Sequence, residues 1–260
     1  MTSPLALEFA RKIRAREQVV GYWVVLDAPA ATERIARLGY DYVALDAQHG
    51  LLDYSGIVHG LMAIDAGAAA LGMVRVEANN LTAIGKALDA GAVGVIVPLI
   101  NTAEDAATAV AAAKYPPLGG RSYGPVRSAL RIGPVPAEAN AATLVFAMIE
   151  TPDGLANVEE ICATPGLDGI YVGPSDLAIA VGGAFPGDPA VEAVFNEALA
   201  RIAAAAKAAG IAAGIHTLSG EVAAKRLSQG YTFTSVASDL AHLEQAAKEH
   251  LEKARGDGGV

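Results

Sequence analysis

The chain has 260 residues, of which 53% are hydrophobic and 18% charged, and this balance predicts one large folded domain rather than a disordered chain. Its formal net charge of −9 argues against a nucleic-acid-binding or membrane-binding surface. The single cysteine, Cys162, excludes an internal disulfide, and residues 1–12 lack the apolar core of a signal peptide, so we expect a soluble, cytoplasmic protein.

An amphipathic helix is predicted over residues 4–16, and short apolar runs then alternate with Ala-rich segments of helical spacing. The strands are predicted at residues 19–26, 42–45, 70–76, 93–99, 144–149, 169–172, 211–215 and 231–236. The helices between them are predicted at residues 30–38, 55–66, 82–90, 104–114, 191–209 and 221–229. Glycines expected to end helices are Gly39, Gly67, Gly91, Gly210 and Gly230. The segment Asn101-Thr-Ala-Glu104 resembles a capping box at a helix start.

Eight strands that alternate with helices, several of them apolar at consecutive positions, are typical of a parallel sheet covered by helices. At this length they predict an α/β fold, a (β/α)8 TIM barrel formed by residues 1–260 as a single domain, with residues 256–260 as a frayed tail. The alternative is a doubly wound open sheet. It is disfavoured because residues 25–30, after the first strand, contain no G-x-G-x-x-G phosphate loop.

One long connection, residues 115–140, interrupts the alternation. It carries three arginines, Arg121, Arg127 and Arg131, and also Tyr123. Long loops in compact domains are usually functional, so we interpret this segment as a lid or an anion-binding loop, with a merely solvated loop as the alternative.

In (β/α)8 barrels the active site lies at the carboxyl ends of the strands. Polar residues at the predicted strand ends are Asp27, Asp46, His49, Arg75, Glu150, Asp176 and His216. Glu150 and Asp176 follow neighbouring strands, so we expect both carboxylates at the same edge of the barrel. Two converging oxygen ligands suit a divalent cation such as Mg²⁺ or Mn²⁺. The alternative makes Asp176 only a helix N-cap and Glu150 a solvated turn residue.

A histidine and an arginine at this rim suggest proton transfer and anion stabilisation. His49 follows Asp46 by three residues, and we expect that carboxylate to orient the ring for general-base catalysis. The alternative is a structural loop histidine. Arg75 has forked donors suited to a carboxylate or an enolate oxygen; its alternative role is an ion pair with Asp46 or Glu77.

Several short motifs in the right order resemble the class II, metal-dependent pyruvate aldolases, the family of 4-hydroxy-2-oxoheptanedioate aldolase, 2-dehydro-3-deoxyglucarate aldolase and macrophomate synthase. The matching segments are Leu45-Asp-Ala-Gln-His49, Val74-Arg-Val76, Ala87-Leu-Asp-Ala-Gly91, Val97-Pro98, Tyr115-Pro-Pro-Leu-Gly119, Ile149-Glu-Thr151 and Val172-Gly-Pro-Ser-Asp-Leu177. Any one of them alone is a weak signal. Their shared order across residues 21–183 is specific.

The resemblance implies an aldolase that cleaves or forms 4-hydroxy-2-oxo acids, from pyruvate or hydroxypyruvate and an aldehyde, through a metal-stabilised enolate. Its divalent ion would be Mg²⁺, Mn²⁺ or Co²⁺, held by Glu150 and Asp176. The roles implied for the remaining residues are enolate stabilisation by Arg75, proton transfer by His49 with Asp46, substrate binding by Arg75, Gly173, Pro174, Ser175 and Trp23, and a contribution of Asp89 to the adjoining subunit's site.

The resemblance also implies a homo-oligomer. Family members are commonly hexamers, trimers of dimers, with exchanged terminal helices, so the N-terminal and C-terminal helices are expected to pack on a neighbouring subunit. The predicted helix over residues 238–255 supports this, since its apolar stripe can dock on its own barrel or on another subunit. The stripe consists of Leu240, Leu243, Ala247 and Leu251.

Two positions depart from the commonest family pattern: Gln48, where Glu is frequent, and Met148, where Gln is frequent. Three other functions stay open. A Schiff-base aldolase needs a lysine at a strand end, whereas every lysine here falls in or beside a predicted helix. The other two are a non-catalytic binder of small 2-oxo acids and a lyase acting on coenzyme A thioesters.

Overall fold

The computed structural model describes residues 3–256 and contains eight parallel strands closed into a barrel in chain order. The strands are β1 Val19–Val24, β2 Tyr42–Asp46, β3 Leu71–Arg75, β4 Gly94–Val97, β5 Leu144–Ile149, β6 Gly169–Val172, β7 Ala212–Thr217 and β8 Phe233–Ser238. β8 pairs with β1 and closes the sheet, so the predicted (β/α)8 barrel is confirmed and the open sheet is wrong. The expectation of a frayed tail concerns mainly residues 257–260, which lie outside the described residues.

The helices of the barrel and of its connections follow the predicted alternation. They are α1 Pro4–Arg14, α2 Pro29–Ala36, α3 Tyr54–Gly67, α4 Leu81–Asp89, α5 Ala103–Ala113, α6 Ser128–Arg131, α7 Pro136–Ala142, α8 Pro152–Ala156, α9 Val158–Cys162, α10 Pro174–Ala180, α11 Glu192–Ala208, α12 Gly220–Ser228 and α13 Asp239–Arg255. None of these helices has the length and hydrophobicity needed to cross a membrane.

The strands are apolar at consecutive positions because both of their faces are covered. β5, for example, is buried at all six positions. Inside the barrel a layer of aromatic rings fills the space: the ring centres of Phe146 and Phe233 lie 4.8 Å apart, and those of Tyr171 and Phe233 lie 5.5 Å apart. Trp23 stacks on Tyr171 at 5.7 Å. This aromatic layer is the floor of the candidate site described below.

Two predicted helix ends differ from the structure. Gly67 is the last residue of α3, and the left-handed residue after it is Ala68, with φ 61°. Glycine is needed at position 67 for close packing, because a Cβ there would lie 2.7 Å from the Cβ of Ala36 on the neighbouring helix. The capping box of α5 is formed by Thr102 and Asp105 rather than by Asn101 and Glu104, one residue further along the chain.

The amino-terminal end of the barrel is closed by α1. Ala6, Phe9, Ala10 and Ile13 of this helix are buried, and they pack with residues at the strand starts such as Val93. The apolar face of the N-terminal helix therefore covers its own barrel, whereas we expected this helix to pack on a neighbouring subunit.

The long connection lies at the same amino-terminal end, because it joins the end of α5 to the start of β5. Its arginines are bound to carboxylates: Arg121 lies 2.7 Å from Asp89, and Arg127 and Arg131 both contact Asp65. The expectation of a lid or an anion-binding loop is therefore wrong for the carboxyl ends of this chain's own strands.

The C-terminal helix exposes its apolar stripe. Leu243 is 59% exposed and Leu251 is 50% exposed. The alternative in which this stripe docks on the chain's own barrel is therefore wrong. The stripe is uncovered in a single chain.

Candidate active site

A cavity of about 230 Å³ lies at the carboxyl ends of the strands. It is lined by Trp23, Val25, Asp46, His49, Arg75, Met148, Gly173, Pro174, Ser175, Asp176, His216 and Ser238. Eight of the ten site residues predicted from the sequence are in this lining. The other two are Glu150, which lies directly behind it, and Asp89.

A buried ion pair forms one wall. Asp46 and Arg75 are opposite each other in the register of β2 and β3, and the guanidinium donates from Nε to Oδ1 at 2.9 Å and from Nη2 to Oδ2 at 2.5 Å. Burial by itself raises the pKa of the Asp46 carboxyl, but the hydrogen bonds and charge of Arg75 outweigh burial and leave that pKa below its ordinary value. The alternative ion pair of Arg75 thus forms, and Nη1 is the guanidinium nitrogen that Asp46 does not use.

Asp46 organises the surrounding backbone rather than the ring of His49. Its Oδ1 accepts hydrogen bonds from the main-chain N–H groups of Gln48 and His49, both at 3.1 Å. Its Oδ2 accepts from Trp23 Nε1 at 3.1 Å. The carboxylate therefore holds the loop that carries His49, and the expected Asp46 contact with the imidazole is replaced by these contacts.

Glu150 is a buried carboxylate with one unpaired oxygen. It is only 3% exposed, so it is not a solvated turn residue. Oε1 accepts a hydrogen bond from the N–H of Leu99 at 3.0 Å. The backbone of Leu99 is in the left-handed conformation, with φ 54°, and this conformation directs its N–H toward Glu150. Oε2 is buried and has no hydrogen-bond partner. Burial, and next the charge of Asp176, raise the pKa of Glu150.

Asp176 completes the carboxylate pair. It lies in the first turn of α10, whose N-cap is Gly173, so Asp176 is not the N-cap. Asp176 lines the cavity, and its negative charge contributes to the raised pKa of Glu150. A buried carboxylate with an unpaired oxygen and a second carboxylate nearby is costly unless a cation binds there.

These residues fit a hard divalent cation. No group of three or more His, Cys, Asp or Glu side chains is arranged as a metal site within residues 3–256. Mg²⁺, however, commonly takes only one or two carboxylates and completes its shell with water and substrate. The orphaned Oε2 of Glu150 beside Asp176 supplies such a pair.

A buried hydrogen-bonded triad, formed by side chains of β6, β7 and β8, adjoins the cavity on the side of His216. The sequence predicts that His216 lies at the rim but assigns it no role, and it does not single out Tyr171 or Ser235. The Nδ1 of His216 lies 2.8 Å from Ser235 Oγ, which in turn lies 2.5 Å from Tyr171 Oη. The signal in the sequence is the adjacent polar pair Thr234 and Ser235, and the structure buries both of them completely.

The remaining positions named from the sequence are Asp89, Met148 and Gln48. Asp89 is the last residue of α4, on the amino-terminal side of the barrel, where it pairs with Arg121, so it lies outside this cavity. Met148 lines the cavity next to Gly173. The side-chain oxygen of Gln48 is buried without a hydrogen-bond partner.

A second cavity of about 450 Å³ adjoins the first and shares Pro174, Ser175 and His216 with it. Its outer wall contains Lys225 and Arg226. The first cavity, of about 230 Å³, is called the inner cavity below, and no lysine is among the residues that line it.

Comparison with known proteins gives concordant matches. A family model described as HpcH/HpaI aldolase/citrate lyase matches residues 19–246. A hydroxypyruvate/pyruvate aldolase of Rhizorhabdus wittichii is 41% identical over 234 residues, which are 90% of this chain and 92% of that protein. A 2-dehydro-3,6-dideoxy-6-sulfogluconate aldolase of Pseudomonas putida is 34% identical over 248 residues, covering 94% of this chain and 95% of the relative.

Solved structures agree with the fold. The crystal structure of an HpcH/HpaI aldolase/citrate lyase family protein from Burkholderia cenocepacia superimposes with a TM-score of 0.89 at 33% identity, covering 96% of this chain and 99% of the other. Macrophomate synthase has a TM-score of 0.85 at 24% identity, covering 98% and 92%, and shows the shared fold.

Proposed function

This chain belongs to the HpcH/HpaI aldolase/citrate lyase family and is an aldolase, a carbon–carbon lyase, and we propose that it joins pyruvate or hydroxypyruvate to an aldehyde and cleaves the resulting 4-hydroxy-2-oxo acid. The resemblance stated from the motifs is thereby confirmed. The proposed substrates follow from the names of the relatives and from the size and charge of the cavity. We further propose that Glu150 and Asp176 hold the divalent cation, Mg²⁺, Mn²⁺ or Co²⁺.

One observation carries the proposal: Glu150 presents a buried, unpaired carboxylate oxygen beside Asp176, and both Asp176 and the cation Arg75 line the cavity. A cation between the carboxylates would act as a Lewis acid for the oxygens of a 2-oxo acid. Nothing else in the described lining satisfies Oε2.

Arg75 is the group that stabilises negative charge on the substrate. Its Nε and Nη2 are engaged by Asp46, so its position is set before substrate arrives, and Nη1 remains for an oxygen that becomes negative. Trp23 supports the same guanidinium, whose carbon lies 5.1 Å from the ring centre.

His49 is the residue we assign to proton transfer at the C4 hydroxyl. Its ring lines the cavity, and its main chain is held by Asp46. In cleavage the C4 hydroxyl proton leaves toward His49 as the C3–C4 bond breaks, and the electron pair remains on the oxo-acid fragment; condensation is the reverse. Main-chain groups of Gly173, Pro174 and Ser175 line the same space and orient the oxo acid.

Two rival chemistries have less support. A Schiff-base aldolase requires a lysine in the cavity, and its lining has none. For a lyase acting on coenzyme A thioesters no observation in this cavity identifies a thioester site. The non-catalytic binder is a possible outcome of the test below.

We propose that the enzyme is a cytoplasmic homo-oligomer, a hexamer built as a trimer of dimers. The exposed stripe of α13, with Leu243 and Leu251, supports contact with a second copy. Asp89 lies far from the cavity of its own chain, and we assign it to the site of an adjoining subunit. Residues 1–260 act as one aldolase domain.

The test is a set of aldol reactions of pyruvate and hydroxypyruvate with several aldehydes, run with Mg²⁺, Mn²⁺ or Co²⁺ and again after treatment with EDTA. Glu150→Gln keeps the shape of the side chain and removes its charge, and we expect it to abolish metal-dependent turnover. Glu104→Gln is the matched control, since Glu104 lies in the first turn of α5, outside the cavity lining. It should leave turnover unchanged.

Turnover that survives complete metal removal would contradict the proposed mechanism. A metal-loaded protein that binds 2-oxo acids, yet fails to exchange the methyl hydrogens of pyruvate for deuterium, would identify the non-catalytic binder instead.

A further inference from the structure

His216 lies where the inner cavity opens into the larger one. It belongs to the linings of both, together with Pro174 and Ser175. It is the only residue on β7 that lines the inner cavity, and it stands between the strand end that carries Asp176 and the strand that carries Trp23. A group attached to the oxo acid and directed toward the larger cavity would pass this imidazole.

The ring is held in one orientation. Nδ1 is bound to Ser235 Oγ at 2.8 Å, and Ser235 is itself fully buried and bound to Tyr171. The ring also makes an edge contact with Trp23 at 5.2 Å between ring centres. Because Nδ1 is engaged, Nε2 is the nitrogen available to a ligand in the cavity.

The imidazole is uncharged at the pH of the cytoplasm. Burial, and next the positive charge of Arg75, lower the pKa of His216 to about 4. A neutral imidazole does not compete with Arg75 for an anion. It can make one directional hydrogen bond through Nε2, as a donor or as an acceptor depending on its tautomer.

We propose that His216 is a specificity-determining residue whose Nε2 binds the hydroxyl group on C3 of a hydroxylated 2-oxo acid, such as hydroxypyruvate. A hydroxyl can donate and accept, so it pairs with Nε2 in either tautomer, whereas the methyl group of pyruvate can do neither. This inference rests on the proposed function, because it takes the oxo acid to be held between Arg75 and the carboxylates.

The experiment compares the binding of hydroxypyruvate and pyruvate to the full-length, metal-loaded protein. Trp23 is the only tryptophan of the chain and touches the ring of His216, so its fluorescence reports binding without turnover. In His216→Phe we expect the affinity for hydroxypyruvate to fall about 5- to 100-fold more than the affinity for pyruvate, the range for a buried hydroxyl left without its partner. The same ratio should appear in kcat/KM.

Further variants separate recognition from structure. His216→Gln retains a donor and an acceptor and should recover part of the preference. Ser235→Ala frees the ring and should lower the preference less than His216→Phe does. The control His59→Phe changes an exposed histidine of α3 and should leave both affinities unchanged.

Equal losses for both oxo acids in a folded His216→Phe protein would overturn the proposal, and so would a loss of preference that appears only with hydroxylated aldehydes. A protein that binds both oxo acids but never turns them over would refute the proposed function alone, since the binding ratio still tests His216.

Discussion

A single added methyl group at Gly173 tests the candidate metal site. Gly173 lies between β6 and α10 with φ −88° and ψ 94°, a conformation open to any residue, so the backbone does not require glycine there. Space does. A Cβ at this position would lie 2.7 Å from Met148 Cε and closer still to Glu150 Oε2.

The size of the effect follows from how Glu150 is held. A carbon–oxygen contact is comfortable only beyond about 3.5 Å, so Oε2 has to retreat by about 1 Å in Gly173→Ala. Oε1 is bound to the N–H of Leu99 at 3.0 Å, which limits how the carboxylate can turn. Metal–oxygen bonds tolerate little displacement, and an error of about 1 Å at a reacting centre costs about 100-fold in rate. We expect aldolase activity at low metal concentration to fall by about this factor.

The assay is a titration of activity with Mn²⁺ or Mg²⁺, accompanied by equilibrium unfolding in urea. Overpacking should lower the free energy of unfolding by about 1–3 kcal/mol. Gly85→Ala is the matched control, because Gly85 lies in α4 with nothing within 4 Å of an added Cβ. That variant should keep the metal dependence of the wild type and gain up to about 1 kcal/mol of stability.

An unchanged half-saturating metal concentration in folded Gly173→Ala would refute the reasoning, because it would mean that Oε2 of Glu150 does not face the cation.

Three other predictions concern the same chain. The pKa of His216 is about 4 in the folded protein, below the ordinary 6.5, so the unfolded chain binds a proton first as the pH falls. The wild type should therefore lose up to about 3 kcal/mol of stability between pH 6.5 and 4 relative to His216→Phe in urea unfolding at each pH; parallel curves would contradict this. Asp46→Asn leaves the buried cation Arg75 without its counter-charge and should lower the free energy of unfolding by about 3–5 kcal/mol, whereas a loss below 1 kcal/mol would show that the pair is screened. Asp105→Ala should lower the free energy of unfolding by about 1 kcal/mol and Glu104→Ala by much less, because Asp105 forms the capping box of α5 with Thr102. A larger loss for Glu104→Ala would instead support the capping box of Asn101 and Glu104 expected from the sequence.

The barrel could be predicted from the sequence because its signals are local. Each predicted strand agrees with the structure to within two residues at either end. Parallel strands joined by helices all point the same way, so the residues that follow them must collect at one edge. For this reason Asp46, Arg75 and Asp176 could be assigned to a common cavity without coordinates.

Some predictions from the sequence were wrong because a local pattern is compatible with two structures. A glycine near a helix end can be a C-cap or a point of close packing; Gly67 is the second, because Ala36 of another helix lies against it. The arginine-rich connection was expected to bind anions, but Asp65 and Asp89, distant in sequence, are already bound to its cations.

The fold class, the edge of the barrel that carries the chemistry and the residue types at that edge follow from the order of residues along the chain. The partner that each of these residues takes depends on how the strands are packed. The register of β2 and β3 sets Asp46 opposite Arg75 instead of beside the ring of His49, and burial leaves one oxygen of Glu150 unpaired. The register of β7 and β8 sets His216 opposite Ser235. The physical reason is that hydrogen bonds and charges depend on distances of a few tenths of an ångström between strands, which local patterns of hydrophobicity do not encode.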